Sequence, residues 1–464
     1  MAVRSNGMNV VIIGAGSLEF ASRLTADILS YPDLAATRFA LVDVDAERLG
    51  YAARITQDIL QRGGYDRASF VATQDRRAAL QGADVVITSI LVGGYPAIEA
   101  EIDIPKRYGI DQAIGDTLTP GGVMRCLRTL PVLLDIARDV MDVCPDAWLL
   151  NYTNPMAMLC WGMHQATPGL KLVGLCHSVQ GTTAQWAQRL NVPYAEVDYD
   201  CAGINHQAWI TRFAHLGTDL LPGIRALATN PELWRKDSSR LEYIKHFGFP
   251  VTEMSGHNSE YSAWFRKSPA LIARYCPGGS WNGGSGFIKE LYNRPDWRER
   301  MEAMASGAKP VRLQRSNEYG SAIVNALAGG GDATIWGNVP NAALVENLPA
   351  DSCVEVRCEV SSQGIRAVPF GRLPAHLAAI NTIQINPQRL AVEATLEQDP
   401  EKVFQAMALD PLTGAVCTLD EIRAMTRELM EAHAPLLPQF GQRRPAAQPV
   451  MAQGADEGQE SAPS

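Results

Sequence analysis

The sequence predicts an α/β fold: an N-terminal doubly wound parallel sheet followed by a C-terminal α+β substrate domain. Three observations carry that expectation. Short apolar, often β-branched runs alternate with helical periodicity up to about residue 195. A glycine-rich turn, Gly14-Ala15-Gly16, follows the first of those runs. Beyond residue 195 the alternation stops, and helical and irregular stretches continue to about His433.

Asn9 to Ile13 has the continuous apolar character of a strand buried on both faces. Leu18 to about Leu29 reads as a helix, Arg38 to Val42 as a strand ending at Asp43, and Ala46 to about Gln61 as a second helix. Ser69 to Ala72 and Asp84 to Ile87 read as further strands. The segment from Leu91 to Gly122 is rich in Gly, Pro and Asp, with one helix expected over Ala97 to Tyr108. A long helix follows over Val123 to Val143. Trp148 to Leu150 and Leu172 to Leu175 are the next strands, running into Asn151-Tyr152-Thr153-Asn154-Pro155 and Cys176-His177. In open α/β sheets ligands bind beyond the carboxyl ends of the strands, so these polar residues stand where chemistry is expected. Val197 to Gly203 and Ala208 to Phe213 read as strands flanking Ile204-Asn205-His206, and a helix is expected near Leu419 to His433.

These segments divide the chain into a nucleotide-binding domain over 1–195, a substrate and oligomerisation domain over 196–440 and a disordered tail over 441–464. At 464 residues the chain is too long for one ordinary core. A net charge of −9 gives no electrostatic footprint for nucleic acid or an anionic membrane. No apolar run reaches the roughly 18 residues of a membrane-spanning helix, and the polar start at Met1 to Gly7 lacks a secretory signal. Nine scattered cysteines, an odd number, suit a reducing cytoplasm rather than a disulfide framework.

Five motifs carry chemistry. In the turn Gly14-Ala15-Gly16-Ser17, the first glycine permits the tight turn and the second lets backbone approach a pyrophosphate at a helix N-terminus. Asp43, 27 residues after Gly16, can accept hydrogen bonds from ribose hydroxyls, which favours NAD+ over NADP+. The alternative is a structural turn with a helix-capping Asp, and Glu19 stands where the full fingerprint wants a small residue. Asn154 can present an amide to a sugar or ribose, or simply cap a turn. Cys176 and His206 offer a thiolate and an imidazole to a divalent ion such as Mn2+, Fe2+, Co2+ or Ni2+, although their spacing matches no zinc pattern. Gly256-His257-Asn258-Ser259-Glu260-Tyr261, preceded by Glu253, is a dense polar loop that lines a site or is a solvated turn. Gly115-Asp116-Thr117, followed by Pro120-Gly121-Gly122, is a loop near the cofactor or a helix entry.

Together these segments resemble glycoside hydrolase family 4, the NAD+- and divalent-metal-dependent glycosidases. The resemblance spans nearly all of residues 8 to 438 and includes Val339-Pro340-Asn341, Asn347-Leu348-Pro349 and Asn381-Thr382-Ile383-Gln384-Ile385-Asn386. It implies a Rossmann-type N-terminal sheet, like that of the lactate and malate dehydrogenases, and a homodimer or homotetramer. Cys176-His177-Ser178-Val179 and Ser255 to Tyr261 are similar to the branch acting on α-galactosides, whereas branches acting on 6-phosphorylated sugars carry Asp or Asn after the cysteine. α-Glucosides and α-linked uronides (glucuronides or galacturonides) are the alternative substrates. A 2-hydroxy-acid dehydrogenase and a non-catalytic NAD+ sensor are the alternatives outside the family.

The resemblance also implies the reaction. NAD+ takes hydride from C3 of the sugar, and a metal such as Mn2+, held by Cys176 and His206, chelates the C2 and C3 oxygens. A base removes the C2 proton, the glycosidic oxygen leaves C1 with acid assistance, water adds, and NADH returns the hydride. Tyr261 is the expected base with Glu260 in reserve, and His177 the expected acid. Asp116, Asn154 and His257 would hold sugar hydroxyls, while Gly14, Gly16, Ser17 and Asp43 would hold the dinucleotide.

Overall fold

The computed structural model describes residues 7–17, 19–278 and 283–441. The tail expected to be disordered lies, apart from Gly441, outside the described residues, as does Leu18. Among the described residues twelve strands form one sheet: β1 (Asn9–Ile13), β2 (Arg38–Val42), β3 (Ser69–Thr73), β4 (Val85–Thr88), β5 (Trp148–Asn151), β6 (Leu172–Leu175), β7 (Val197–Ile204), β8 (Gln207–His215), β9 (Thr218–Asp219), β10 (Ala333–Pro340), β11 (Cys353–Ser361) and β12 (Gly364–Ala367).

The first six strands run parallel in the order β3-β2-β1-β4-β5-β6. This is the doubly wound arrangement the alternation predicted, with its direction switch between β1 and β4. Strands β1, β4 and β6 are almost wholly buried because helices cover both faces. β10 then joins β6 antiparallel, and β11, β7 and β8 continue the same sheet. The strand following residue 195 therefore starts no new sheet. It is reached through β10 and β11, which lie in the region that sequence periodicity read as helical and irregular.

Two helix starts differ from expectation. The long helix spans Thr119–Val143, so Pro120, Gly121 and Gly122 form its first turn rather than the preceding loop. Proline is tolerated there because the first turn's N–H groups have no intrahelical acceptor. The two glycines are required by close approach: a Cβ on Gly121 would lie 2.4 Å from the Gly115 oxygen, and one on Gly122 2.5 Å from the Thr117 carbonyl carbon. The preceding helix begins at Gly94 rather than Ala97. The helix Ala375–Glu397 packs across Thr119–Val143 and Met156–Ala166, joining the C-terminal half to the parallel sheet. Among the described residues no helix is long and apolar enough to cross a membrane.

Candidate active site

The glycine-rich turn closes β1 at the direction switch. The Gly14 and Ala15 N–H groups donate to the Val42 oxygen at 2.9 and 3.1 Å. Gly14 has φ +91°, and a Cβ there would lie 2.0 Å from the Ser89 oxygen, so only glycine fits. Asp43 is not a helix cap. Asp45 caps the helix Ala46–Gly63, whereas Asp43 Oδ2 accepts the Gly16 N–H at 2.7 Å and Oδ1 accepts the Asp45 N–H at 2.9 Å. The carboxylate thus sits directly against the turn. Ser17 Oγ accepts the Ala21 N–H at 3.0 Å, bracing the start of the helix Phe20–Leu29. Glu19 points outward to pair with Arg300, which is why a large residue is tolerated at that position.

A second cluster forms where β6 ends and the β7–β8 hairpin turns. Cys176 follows β6 directly, and its Sγ lies 3.1 Å from His206 Nε2. His206 Nε2 also lies 3.6 Å from Glu253 Oε2. Both His206 and Glu253 adopt left-handed backbone, with φ of 63° and 72°. Such conformations cost energy in non-glycine residues and persist where surrounding contacts over-determine them. Here Asn258 Nδ2 donates to the His206 oxygen at 3.2 Å and to the Thr252 oxygen at 3.3 Å. Thr117 Oγ1 lies 3.2 Å from His206 Nδ1, leaving Nε2 to face the thiol and the carboxylate.

The electrostatics favour a cation-binding donor set. Burial opposes the Cys176 thiolate, but the His206 imidazole beside it brings the thiol down to about 7. Burial likewise opposes charge on His206, yet Cys176 and Glu253 raise it to about 10. Thiolate, imidazole and carboxylate atoms within 4.8 Å of one another suit a borderline first-row divalent ion, so the residues fit the expected metal. Glu253 is a donor that sequence reasoning left out of the site. Its only signal was its place before the polar loop.

Asp116 is the centre of the adjoining pocket. Thr117 Oγ1 donates to its Oδ1 at 2.8 Å and Asn154 Nδ2 to its Oδ2 at 3.4 Å. His257 Nε2 lies 3.4 Å from Oδ1, and Arg125 Nη1 3.6 Å from Oδ2. Burial works against the charge on Asp116, but Arg125 and His257 keep its pKa below the usual range. Burial and the neighbouring His206 push His257 down to about 4, so it is neutral. The His257 ring stands 4.6 Å from that of His206 and 5.5 Å from that of Tyr261. Four buried polar atoms here make no hydrogen bond among the described residues: His257 Nε2, Tyr261 Oη, Asn154 Oδ1 and Arg125 Nη1. Buried polar groups are normally paired, so this concentration marks a place where a ligand's oxygens belong.

The polar loop is held from behind. Ser255 Oγ donates to Asp237 Oδ1 at 2.6 Å, and Ser239 Oγ donates to the Ser255 oxygen at 2.7 Å. Glu260 does not face the pocket as the reserve base would need to. Its carboxylate accepts the backbone N–H groups of Ala113, Ile114 (2.6 Å) and Gly115 (3.0 Å), so it fixes the loop that carries Asp116. Burial raises Glu260 to about 7 against those amides and Arg266. Burial and nearby Asp116 push Tyr261 well above 10, so the phenol alone is a proton donor rather than a base. His177 heads the helix Ser178–Arg189, with Nε2 2.5 Å from Glu318 Oε1. That hydrogen bond raises His177 to about 9 and keeps it protonated at neutral pH. Glu318 arrives from 141 residues away, and no local pattern announced it.

A nucleotide-type turn at the switch of a doubly wound sheet, beside a soft-donor cluster and a pocket of unpaired polar groups, defines a cofactor-assisted α/β enzyme. The chain belongs to glycosyl hydrolase family 4: residues 9–192 match the family 4 glycosyl hydrolase domain, and residues 201–413 match its C-terminal domain. It is 39% identical over 446 residues to the α-galactosidase of Bacillus subtilis (strain 168), covering 93% of this chain and 99% of that one. It is 36% identical over 453 residues to the α-galactosidase of Rhizobium meliloti (strain 1021), covering 96% and 92%. A Bacillus subtilis crystal structure described as a glucosidase matches with a TM-score of 0.81 at 27% identity, over 91% of this chain and 99% of that one. A 6-phospho-α-glucosidase from gut microorganisms, solved with NAD and Mn2+, shares the fold at 20% identity with a TM-score of 0.77, over 93% and 99%.

Proposed function

We propose that this glycoside hydrolase is an α-galactosidase that works with NAD+ and a divalent first-row ion, Mn2+ before others. The observation that carries the reading is the Cys176–His206–Glu253 cluster, at 3.1 and 3.6 Å, next to the Asp116 pocket. The relatives at 36% and 39% identity support the galactoside. When bound, the dinucleotide supplies a reversible hydride acceptor for C3 of the sugar, and the ion supplies a Lewis acid for the neighbouring oxygens.

Cys176, His206 and Glu253 would hold the ion. Gly14, Gly16 and Asp43 would hold the dinucleotide, with Ser17 bracing the helix behind the turn. Asp116 accepts from sugar hydroxyls, Asn154 Oδ1 accepts another, and the neutral His257 offers Nε2. Tyr261 takes the C2 proton, a role that needs positive charge near the phenol because burial and Asp116 hold its pKa well above 10. His177, protonated through Glu318, gives its proton to the departing glycosidic oxygen. Nine free cysteines fit a reducing cytoplasm. A nucleotide-binding unit over 1–195, a substrate unit over 196–440, and a homodimer or homotetramer complete the reading.

The test is hydrolysis of 4-nitrophenyl α-galactoside under reducing conditions, with NAD+ and Mn2+ added separately and together, beside the α-glucoside and α-glucuronide. Turnover that needs both additions, favours the galactoside and forms no net NADH is expected. Preference for another sugar moves the substrate, and steady NADH production from a hydroxy acid overturns the reading.

A further inference from the structure

Arg125 belongs to none of the motifs that identify the site, yet it lies in its wall. It projects from the first turns of the helix Thr119–Val143 and is only 3% exposed. On one side its Nη1 stands 3.6 Å from Asp116 Oδ2, too far for a hydrogen bond. On the other its Nη2 donates to the Tyr292 Oη at 3.5 Å, and the guanidinium sits 5.5 Å from the centre of that ring. Among the described residues Nη1 makes no hydrogen bond. A buried guanidinium with an unmade bond is costly, because that N–H has lost its water and the ion pair with Asp116 is too long to give it a hydrogen bond in return. The other three unpaired atoms, on Asn154, His257 and Tyr261, surround the same Asp116.

We propose that Arg125 is a substrate-contacting, specificity-determining residue whose Nη1 donates to a hydroxyl of a neutral hexose held by Asp116. Asp116 already offsets the arginine's charge. A uronate carboxylate brought to Nη1 would stand beside the Asp116 carboxylate, and two like charges that close in a buried pocket repel. A hydroxyl satisfies the donor without that repulsion. The inference rests on the α-galactosidase reading and adds to it the residue that sets the sugar's charge class.

The test uses the full chain with NAD+ and Mn2+ and two variants, Arg125→Met and Arg125→Lys. Galactose and galacturonate binding are measured by titration calorimetry, together with kcat and KM on 4-nitrophenyl α-galactoside and melting temperature. Loss of a charge-assisted hydrogen bond is expected to weaken galactose binding and raise KM at least about tenfold in Arg125→Met, with kcat changing less and NAD+ affinity holding within about twofold. Arg125→Lys restores part of the affinity, since it keeps the charge but loses the planar fork. Galactose affinity within about twofold of wild type in Arg125→Met overturns the inference, as does full restoration by Arg125→Lys, which marks a purely charge-balancing role. Wild-type enzyme that binds galacturonate in preference to galactose, through Arg125, overturns the neutral-hexose assignment. If glucose replaces galactose as the bound sugar while Arg125→Met still abolishes binding, Arg125 stands and the galactoside reading falls.

Discussion

The glycine-rich turn and the Cys176–His206 pocket lie at the ends of strands in one sheet, but they are finished to different degrees. In the turn nearly every polar group is spoken for: Gly14, Ala15 and Gly16 donate to Val42 and Asp43, and the positive φ falls on a glycine. In the pocket the positive φ falls on His206 and Glu253, and among the described residues buried atoms of Asn154, His257, Tyr261 and Arg125 make no hydrogen bond. The turn is a surface already shaped by the backbone. The pocket holds strain and unsatisfied groups that a ligand completes, as expected where chemistry rather than docking is performed.

The largest effect that would sharpen this contrast is expected from Cys176→Ala. Losing even outer-shell support for a metal costs about 10–100-fold, so removing a donor should lower kcat/KM by more than about a hundredfold. NAD+ affinity, read by fluorescence titration, should stay within about threefold, because the turn shares no partner with the thiol. A parallel loss of NAD+ binding would break the comparison. The reverse experiment is Gly16→Ala, whose Cβ would sit 2.5 Å from Arg48 Cβ and 2.8 Å from Asp43 Oδ2. Overpacking of this kind costs about 1–3 kcal/mol, so NAD+ affinity should fall about tenfold while Mn2+ binding, followed by paramagnetic resonance, holds.

Glu260→Gln tests whether that carboxylate is scaffold rather than base. Replacing an acceptor that faces the Gly115 N–H should cost about 1–3 kcal/mol in urea unfolding. Activity surviving in the folded fraction is the expected result, and a stable but inactive variant would return Glu260 to the chemistry. The smallest effect concerns His164, in the helix Met156–Ala166 that follows Asn154 between the two regions. Burial pushes it down to about 4, below its ordinary value, so the folded state prefers it neutral. Its contribution to stability is therefore complete above about pH 6.5 and lost as pH falls through about 4. Melting curves at successive pH values should show a shallower acid decline for His164→Gln than for wild type.

The sequence revealed the parallel half of the fold well, because β1, β4, β5 and β6 are short apolar runs closed by glycine or polar residues. It concealed β10 and β11, which lie beyond the last strand–helix alternation and follow short helices. Pro120, Gly121 and Gly122 read equally as a loop or a helix entry, and the structure makes them the entry of the helix that starts at Thr119. In the site, Cys176, His206, Asp116 and His257 stood out as polar residues after strands or in dense loops. Glu253, Glu318 and Arg125 did not, since each acts through contacts made only by the folded chain. The same limit explains Glu260, which sat in the right loop but turns its carboxylate to the backbone.

The pairing of β10 with β6 has a consequence for anyone dividing this chain. A fragment ending near residue 195 would keep the glycine-rich turn but leave β6 as an open edge, with the Gly174 and Leu175 pairing groups bare. Exposed apolar edges recruit other strands, so such a fragment should self-associate rather than persist as a soluble nucleotide-binding module. What reads as two units along the chain is, in hydrogen bonds, a single fabric, and cutting it anywhere near its middle leaves a raw selvedge.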